Sequence, residues 1–146
     1  MTAEITAFRP EHFDGLDHLW REAFPDDPPW NRAEVAVPAK LSVQPDLLLI
    51  ALDQDEVVGS IMGGYDGHRG WLYAVAVLEP HRRTGLGARL VREAEQRLEE
   101  LGCSKINLQV RSSNTEVIGF YEALGYHSEE RVSMGKRLDA GIASGR

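Results

Sequence analysis

Residues 75 to 88 read Val-Ala-Val-Leu-Glu-Pro-His-Arg-Arg-Thr-Gly-Leu-Gly-Ala, an apolar run that passes through a polar turn into an amphipathic stretch. The first amides of a helix have no intrahelical acceptor, and the helix dipole puts partial positive charge beside them. Gly85 and Gly87 let backbone come close to a bulky group, while Arg82 and Arg83 add two cations. That combination suits an anion, and a diphosphate in particular. The turn lacks the Gly-Lys-Ser/Thr ending of a triphosphate loop and the three-glycine spacing of a dinucleotide site, so it indicates neither phosphoryl nor hydride transfer. Taken alone, the two glycines also fit a bare helix entry flanked by solvated arginines.

Several other polar residues have chemistry available to them. Asp66 and His68 lie in a glycine-bounded loop just before the strand that feeds the turn, and Glu79 lies at that strand's end. Each is a candidate proton acceptor or a solvated loop residue. His12, His18, His81 and His127 show no ligand spacing, so no metal is expected. Cys103 is the single cysteine, which rules out an intrachain disulfide and a thiolate cluster, and it reads as a small hydrophobe rather than a nucleophile. Trp20, Trp30 and Phe24 are candidates to line an acceptor side, or to serve as core and loop anchors.

The elements that would position these residues follow from periodicity. Ile5, Ala7 and Phe8 suggest a short first strand, and Phe13, Leu16, Leu19, Trp20 and Ala23 form one face of a helix that the prolines after Phe24 end. A weaker helix is expected from Asn31, as N-cap, to Leu41, interrupted or ended by Pro38. Leu47 to Leu52, Glu56 to Gly64 and Trp71 to Leu78 read as three meandering strands. Gly85 to Leu101 is the clearest helix, with Gly102 as its left-handed cap. Lys105 to Val110 alternates as a half-buried strand, Asn114 to Leu124 is helical, and Tyr126 to Leu138 returns to extended structure. The expectation is a single α+β domain over residues 1–138, with residues 139–146 as a tail.

Sixteen basic against 23 acidic residues give a net charge of −7, without the clustered Lys and Arg that nucleic acid requires. No basic start followed by an apolar run opens the chain, and no stretch approaches a membrane span, so no membrane association and a cytoplasmic location are expected.

The motifs together resemble those of the GNAT acetyltransferase superfamily. Its Arg/Gln-x-x-Gly-x-Gly/Ala signature is matched by Arg82, Gly85 and Gly87 between a strand and a helix. A second motif is matched by Asn114, Phe120-Tyr121-Glu122 and Leu124-Gly125-Tyr126. Within the superfamily, Gly63 to Gly70 and Gly135-Lys136-Arg137-Leu138 are similar to a bacterial YpeA-type subgroup. One departure is Pro80, with Glu79 before it, where the family often places its proline two residues earlier.

This resemblance implies a GNAT fold, with a mixed, mostly antiparallel sheet of about six to seven strands flanked by about four helices. It implies acetyl-CoA as cosubstrate, lying where the strand Trp71–Leu78 splays from Lys105–Val110. The pantetheine arm would pair with main chain at Val75, Ala76 and Val77, and the diphosphate with amides at Arg82, Arg83, Thr84, Gly85, Leu86, Gly87 and Ala88. Asn114 would bond the arm, and Tyr121 would touch the cofactor and protonate the leaving thiolate. A main-chain N–H near Val77 would polarise the carbonyl. The base is left open between Asp66, His68, Glu79 and a water chain. The acceptor would be a primary amine of a small molecule or a peptide, and a homodimer is compatible with the family. The rival expectations are a catalytically silent acyl-CoA-binding or sensing module and a plain interaction domain.

Overall fold

The structure is a computed structural model that describes residues 3–139. Its elements run β1 (Glu4–Ala7), α1 (Phe13–Ala23), α2 (Ala33–Leu41), β2 (Leu48–Asp53), β3 (Glu56–Tyr65), β4 (Gly70–Val77), α3 (Leu86–Glu100), β5 (Ile106–Asn107) and α4 (Thr115–Ala123). The chain divides into two compact units, one ending at Gln109 and the other beginning at Val110.

The first unit holds the whole sheet, in the order β1-β2-β3-β4-β5. β1 to β4 pair antiparallel, and β5 joins β4 in parallel. Leu48, Leu49, Ile50 and Ala51 of β2 are fully buried, which explains why this strand is a continuous apolar run rather than an alternating one. Gln54 and Asp55, at φ 50° and 71°, close the two-residue turn into β3, where two left-handed residues match the twist of the flanking strands. In β3, Gly59 lies under Leu90 of α3, whereas its neighbour Ser60 is bonded to Trp20 of α1. Successive strand residues face opposite sides, so α1 and α3 cover the two faces of the sheet. Leu16 and Leu19 on one helix and Leu90, Val91 and Leu98 on the other complete the two half-cores.

Three expectations need correction. The described residues hold five strands rather than six to seven, because Tyr126 to Leu138 joins no ladder, and Val132, Met134 and Leu138 stand almost fully exposed. These isolated apolar residues alternate plausibly, but alternation cannot reveal whether a partner edge exists. For the same reason the strand expected over Lys105–Val110 shrinks to Ile106–Asn107, which pairs only with Gly70 and Trp71. Pro38 does not end α2, since the burial of Ala33 and Val37 holds the helix through it, and Arg32 rather than Asn31 is the N-cap.

The second unit is built on α4. Asn114 caps it by accepting from the Val117 N–H at 3.3 Å, and Gly125, at φ 98°, follows its end. The tail expected over residues 139–146 lies outside the described residues except for Asp139.

Candidate functional site

The turn between β4 and α3 has an unusual distribution of hydrogen bonds. Two of its carbonyls are satisfied by side chains, and those of Leu78 and Glu79 by the N–H groups of His81 and Arg82. Arg82 Nε donates to Val77 O at 2.8 Å, and Thr84 Oγ1 donates to His81 O at 2.6 Å. Arg82 Nη1 also reaches Glu79 Oε1 at 3.0 Å, and Arg83 Nη2 reaches Glu79 Oε2 at 3.4 Å. Nearby, His81 lies 3.8 Å from Asp53 at the end of β2. Its later amides, by contrast, are free. From Arg83 through Ala88 no backbone N–H donates to a main-chain or side-chain acceptor among the described residues. Arg83 at φ 61° and Gly85 at φ 87° are both left-handed, and such alternation gathers successive N–H groups into a concave nest that favours an anion. Leu86, Gly87 and Ala88 add the open first turn of α3. Arg82 is therefore a strut of the turn, while Arg83, largely exposed, is a second cation that contacts Glu79.

The strand feeding this turn keeps one edge open. β4 spans eight residues, yet β5 pairs with only the first two, Gly70 and Trp71. The Leu78 N–H donates back to Val58 O, and alternate residues of a strand address alternate edges, so Val77 turns its N–H and C=O away from β3. The outward carbonyl is the one that Arg82 takes. Val77, and by the same alternation Val75, thus offer a main-chain edge that ends at the nest, whereas Ala76, opposite Ser60, addresses β3.

Tyr121 belongs to the second unit. It is buried on α4, with its ring edge-to-face against Phe120 at 4.9 Å and Tyr126 at 5.6 Å. Burial pushes its phenol up to about 12. Asn114, expected to bond a ligand, spends its side-chain oxygen on the α4 cap.

Two of the three candidate bases are otherwise engaged. Asp66 Oδ1 accepts from the backbone N–H groups of Arg69 and His68, each at 2.7 Å, and these bonds hold its carboxyl below the usual carboxylate range. Both oxygens of Glu79 face arginines. Among the described residues, the His68 ring's one hydrogen-bond contact is with the Arg69 guanidinium, at 3.4 Å. Sequence reasoning did not single out Tyr73, half-exposed on β4, whose phenol is raised by burial and then by the charge of Asp66. Its outward strand position was the available signal. Trp20 and Phe24 border a small depression of about 10 Å³ with Asp17, Arg21, Asp27 and Arg32, although Trp20 itself is core. The Cys103 thiol donates to Lys105 O at 3.2 Å. No cluster of three or more His, Cys, Asp or Glu that could hold a metal is found among the described residues, and no described helix is long and apolar enough to cross a membrane.

A profile of the acetyltransferase (GNAT) family matches residues 13–126, which spans α1, the sheet from β2 onward, the nest and α4. The chain belongs to the GNAT acetyltransferase family. This GNAT protein is 43% identical over 135 residues to an acetyltransferase of Pectobacterium atrosepticum, covering 92% of this chain and 95% of that one. It is 45% identical over 136 residues to an acetyltransferase of Sodalis glossinidius, with the same coverages. Among solved structures its fold matches the aminoglycoside acetyltransferase AAC(6′)-Iy in complex with a CoA bisubstrate analogue, at a TM-score of 0.76 and 19% identity over 94% of this chain and 99% of that one. It also matches the NatC complex bound to Gag peptide and CoA, at 0.78 and 23% over 90% and 88%. The GNAT protein is an acyltransferase.

Proposed function

We propose that this enzyme moves the acetyl group of acetyl-CoA directly to a primary amine of a small molecule or peptide. The observation that carries the reading is the row of unpartnered amides from Arg83 to Ala88 at the end of an open strand edge. Val75 and Val77 would pair with the amide-bearing pantetheine arm, with Ala76 between them addressing β3. Arg82, Arg83, Thr84, Gly85, Leu86, Gly87 and Ala88 would hold the diphosphate. The CoA-bound neighbours support the same donor.

In the transfer, the amine nitrogen bonds to the acetyl carbon, the C–S bond breaks, and the proton lost by nitrogen ends on the CoA sulfur. Asp66 and Glu79 are engaged elsewhere, which supports His68 or a water chain as the carrier of the amine's first proton. Burial pushes the Tyr121 phenol up to about 12, which makes it a weaker acid than a thiol. Tyr121 would accordingly donate a hydrogen bond to the developing thiolate without surrendering its proton at equilibrium. The Asn114 amide nitrogen remains available for the cofactor arm. The depression beside Trp20 and Phe24 mixes Asp17 and Asp27 with Arg21 and Arg32, and its charge favours no single amine. A silent acyl-CoA sensor is the less favoured alternative, because it gives Tyr121 no task.

We place the protein in the bacterial YpeA-type subgroup, in the cytoplasm, as one functional domain over residues 1–138 that is able to pair as a homodimer. The test is thermal unfolding with acetyl-CoA, followed by thiol release over a panel of amines. A ligand bound only by the native state adds about 2.7 kcal/mol at a hundredfold excess over Kd. Unchanged melting with millimolar acetyl-CoA would remove the reading.

A further inference from the structure

β4 carries one residue more than the strand it pairs with. Ser60 of β3 faces Ala76 and Met62 faces Tyr73, so two steps along β3 correspond to three along β4. The surplus falls at Ala74, whose φ of 52° is left-handed. A residue with a Cβ is strained there and stays only where its surroundings over-determine it. Those surroundings are specific. Ser60 Oγ donates to Ala74 O at 2.8 Å and accepts from Trp20 Nε1 at 2.9 Å. Ser60 is fully buried, and Trp20 is 4% exposed. Because an indole N–H can only donate, the direction of the relay is fixed: Trp20 gives to Ser60, and Ser60 gives to the bulge carbonyl.

A second irregularity supplies a control within the same sheet. The register also shifts between Ala51 and Leu52, on the other side of β3, near Val57 and Val58. There the residues keep ordinary φ, and no side-chain hydrogen bond reaches Val57 or Val58 among the described residues. A bulge in this sheet therefore does not need a buried polar pin. The one at Ala74 has it, and it immediately precedes the open edge that ends in the outward-facing Val77.

We propose that Ser60, backed by Trp20, is a positioning residue that locks the β4 bulge at Ala74 and so aims the amides that follow it at the acyl carbonyl of the donor thioester. This rests on the acetyl-CoA reading above. Without the pin, the Ala74 carbonyl loses its partner and the extra residue is free to slide along β4, turning the Val75–Val77 amides off target. The diphosphate nest keeps its left-handed Arg83 and Gly85 and the contacts of both arginines with Glu79, so most of the affinity stays while aim is lost.

The test needs no acceptor amine. [1-13C]acetyl-CoA is bound to wild type, Ser60→Ala and Trp20→Phe, its carbonyl resonance is compared with that of the free thioester, and Kd is measured by calorimetry. In wild type the resonance should move downfield on binding. In Ser60→Ala that displacement should fall by about half or more while Kd changes by less than about threefold. Trp20→Phe should show a smaller loss of the same sign, and it carries the test if Ser60→Ala does not fold. Equal displacement in wild type and the folded variants would overturn the inference alone, as would losses of affinity and displacement in parallel. Absence of acetyl-CoA binding by wild type would overturn the donor reading and the inference with it.

Discussion

The loops at the two ends of β4 are made of similar residues and behave in opposite ways. Each is short and polar, contains a left-handed glycine and has an acidic residue beside arginine. In the loop before β4, the Asp66 carboxylate collects the N–H groups of His68 and Arg69, and the turn closes on itself. In the turn after β4, side chains of Arg82 and Thr84 donate to carbonyls instead, and the amides from Arg83 to Ala88 are left over. A turn that consumes its own donors is a structural device. One that satisfies only its acceptors is prepared for an incoming anion. The position of a carboxylate relative to the amides, more than the glycine content, separates the two.

The largest expected effect comes from giving the second turn what the first already has. Gly87→Glu places a carboxylate among the free amides, and acetyl-CoA affinity measured by calorimetry should fall about a hundredfold, the equivalent of roughly 2–3 kcal/mol, with helicity retained. Unchanged affinity would move the diphosphate away from this turn. Next in size is Tyr121→Phe, outside both loops. Losing one hydrogen bond to a developing charge should lower kcat by about 10- to 100-fold while Kd for acetyl-CoA holds steady. A full rate would return Tyr121 to a packing role, and a loss confined to affinity would make it a cofactor contact.

The smallest effect belongs to Asp66→Asn. The folded-state carboxyl lies below its ordinary range, so its contribution to stability is present above the unfolded value and disappears as pH falls through the folded one. Melting curves should therefore show a slight deficit for the variant near neutrality that closes in acid, with acetyl transfer unchanged at either pH where the enzyme is folded. A large loss of kcat at neutral pH, with melting intact, would make Asp66 the base and undo the contrast between the loops.

Much of this contrast was legible in the sequence, but only in part. Strand, polar turn and helix were readable at Val75–Ala88, and Gly102 marked the end of α3, because apolar period and glycine placement are local properties. The use of Arg82 was not legible, since nothing in the residue order says that its guanidinium folds back onto Val77 O rather than facing a ligand. The bulge was hidden for a similar reason: alanine carries no signal for a left-handed φ, and its support comes from Ser60 and Trp20, distant in sequence. The strand expected over Tyr126–Leu138 failed because pairing depends on a neighbour. Asn114 was placed correctly at the head of α4, but its chemical type fits both a cap and a ligand contact, and residue identity alone does not divide the two.

Glu79 gives the nest one further property. With an oxygen on each arginine, it acts as a resident placeholder anion, keeping Arg83 gathered against the turn before any ligand arrives. Arg82 has a second anchor in Val77 O and can stay, whereas Arg83 holds Glu79 by a single exposed contact of the kind worth at most about 1 kcal/mol. A diphosphate reaching this turn would exchange that weak partner for a stronger one, with Arg83 already on the correct side of the turn.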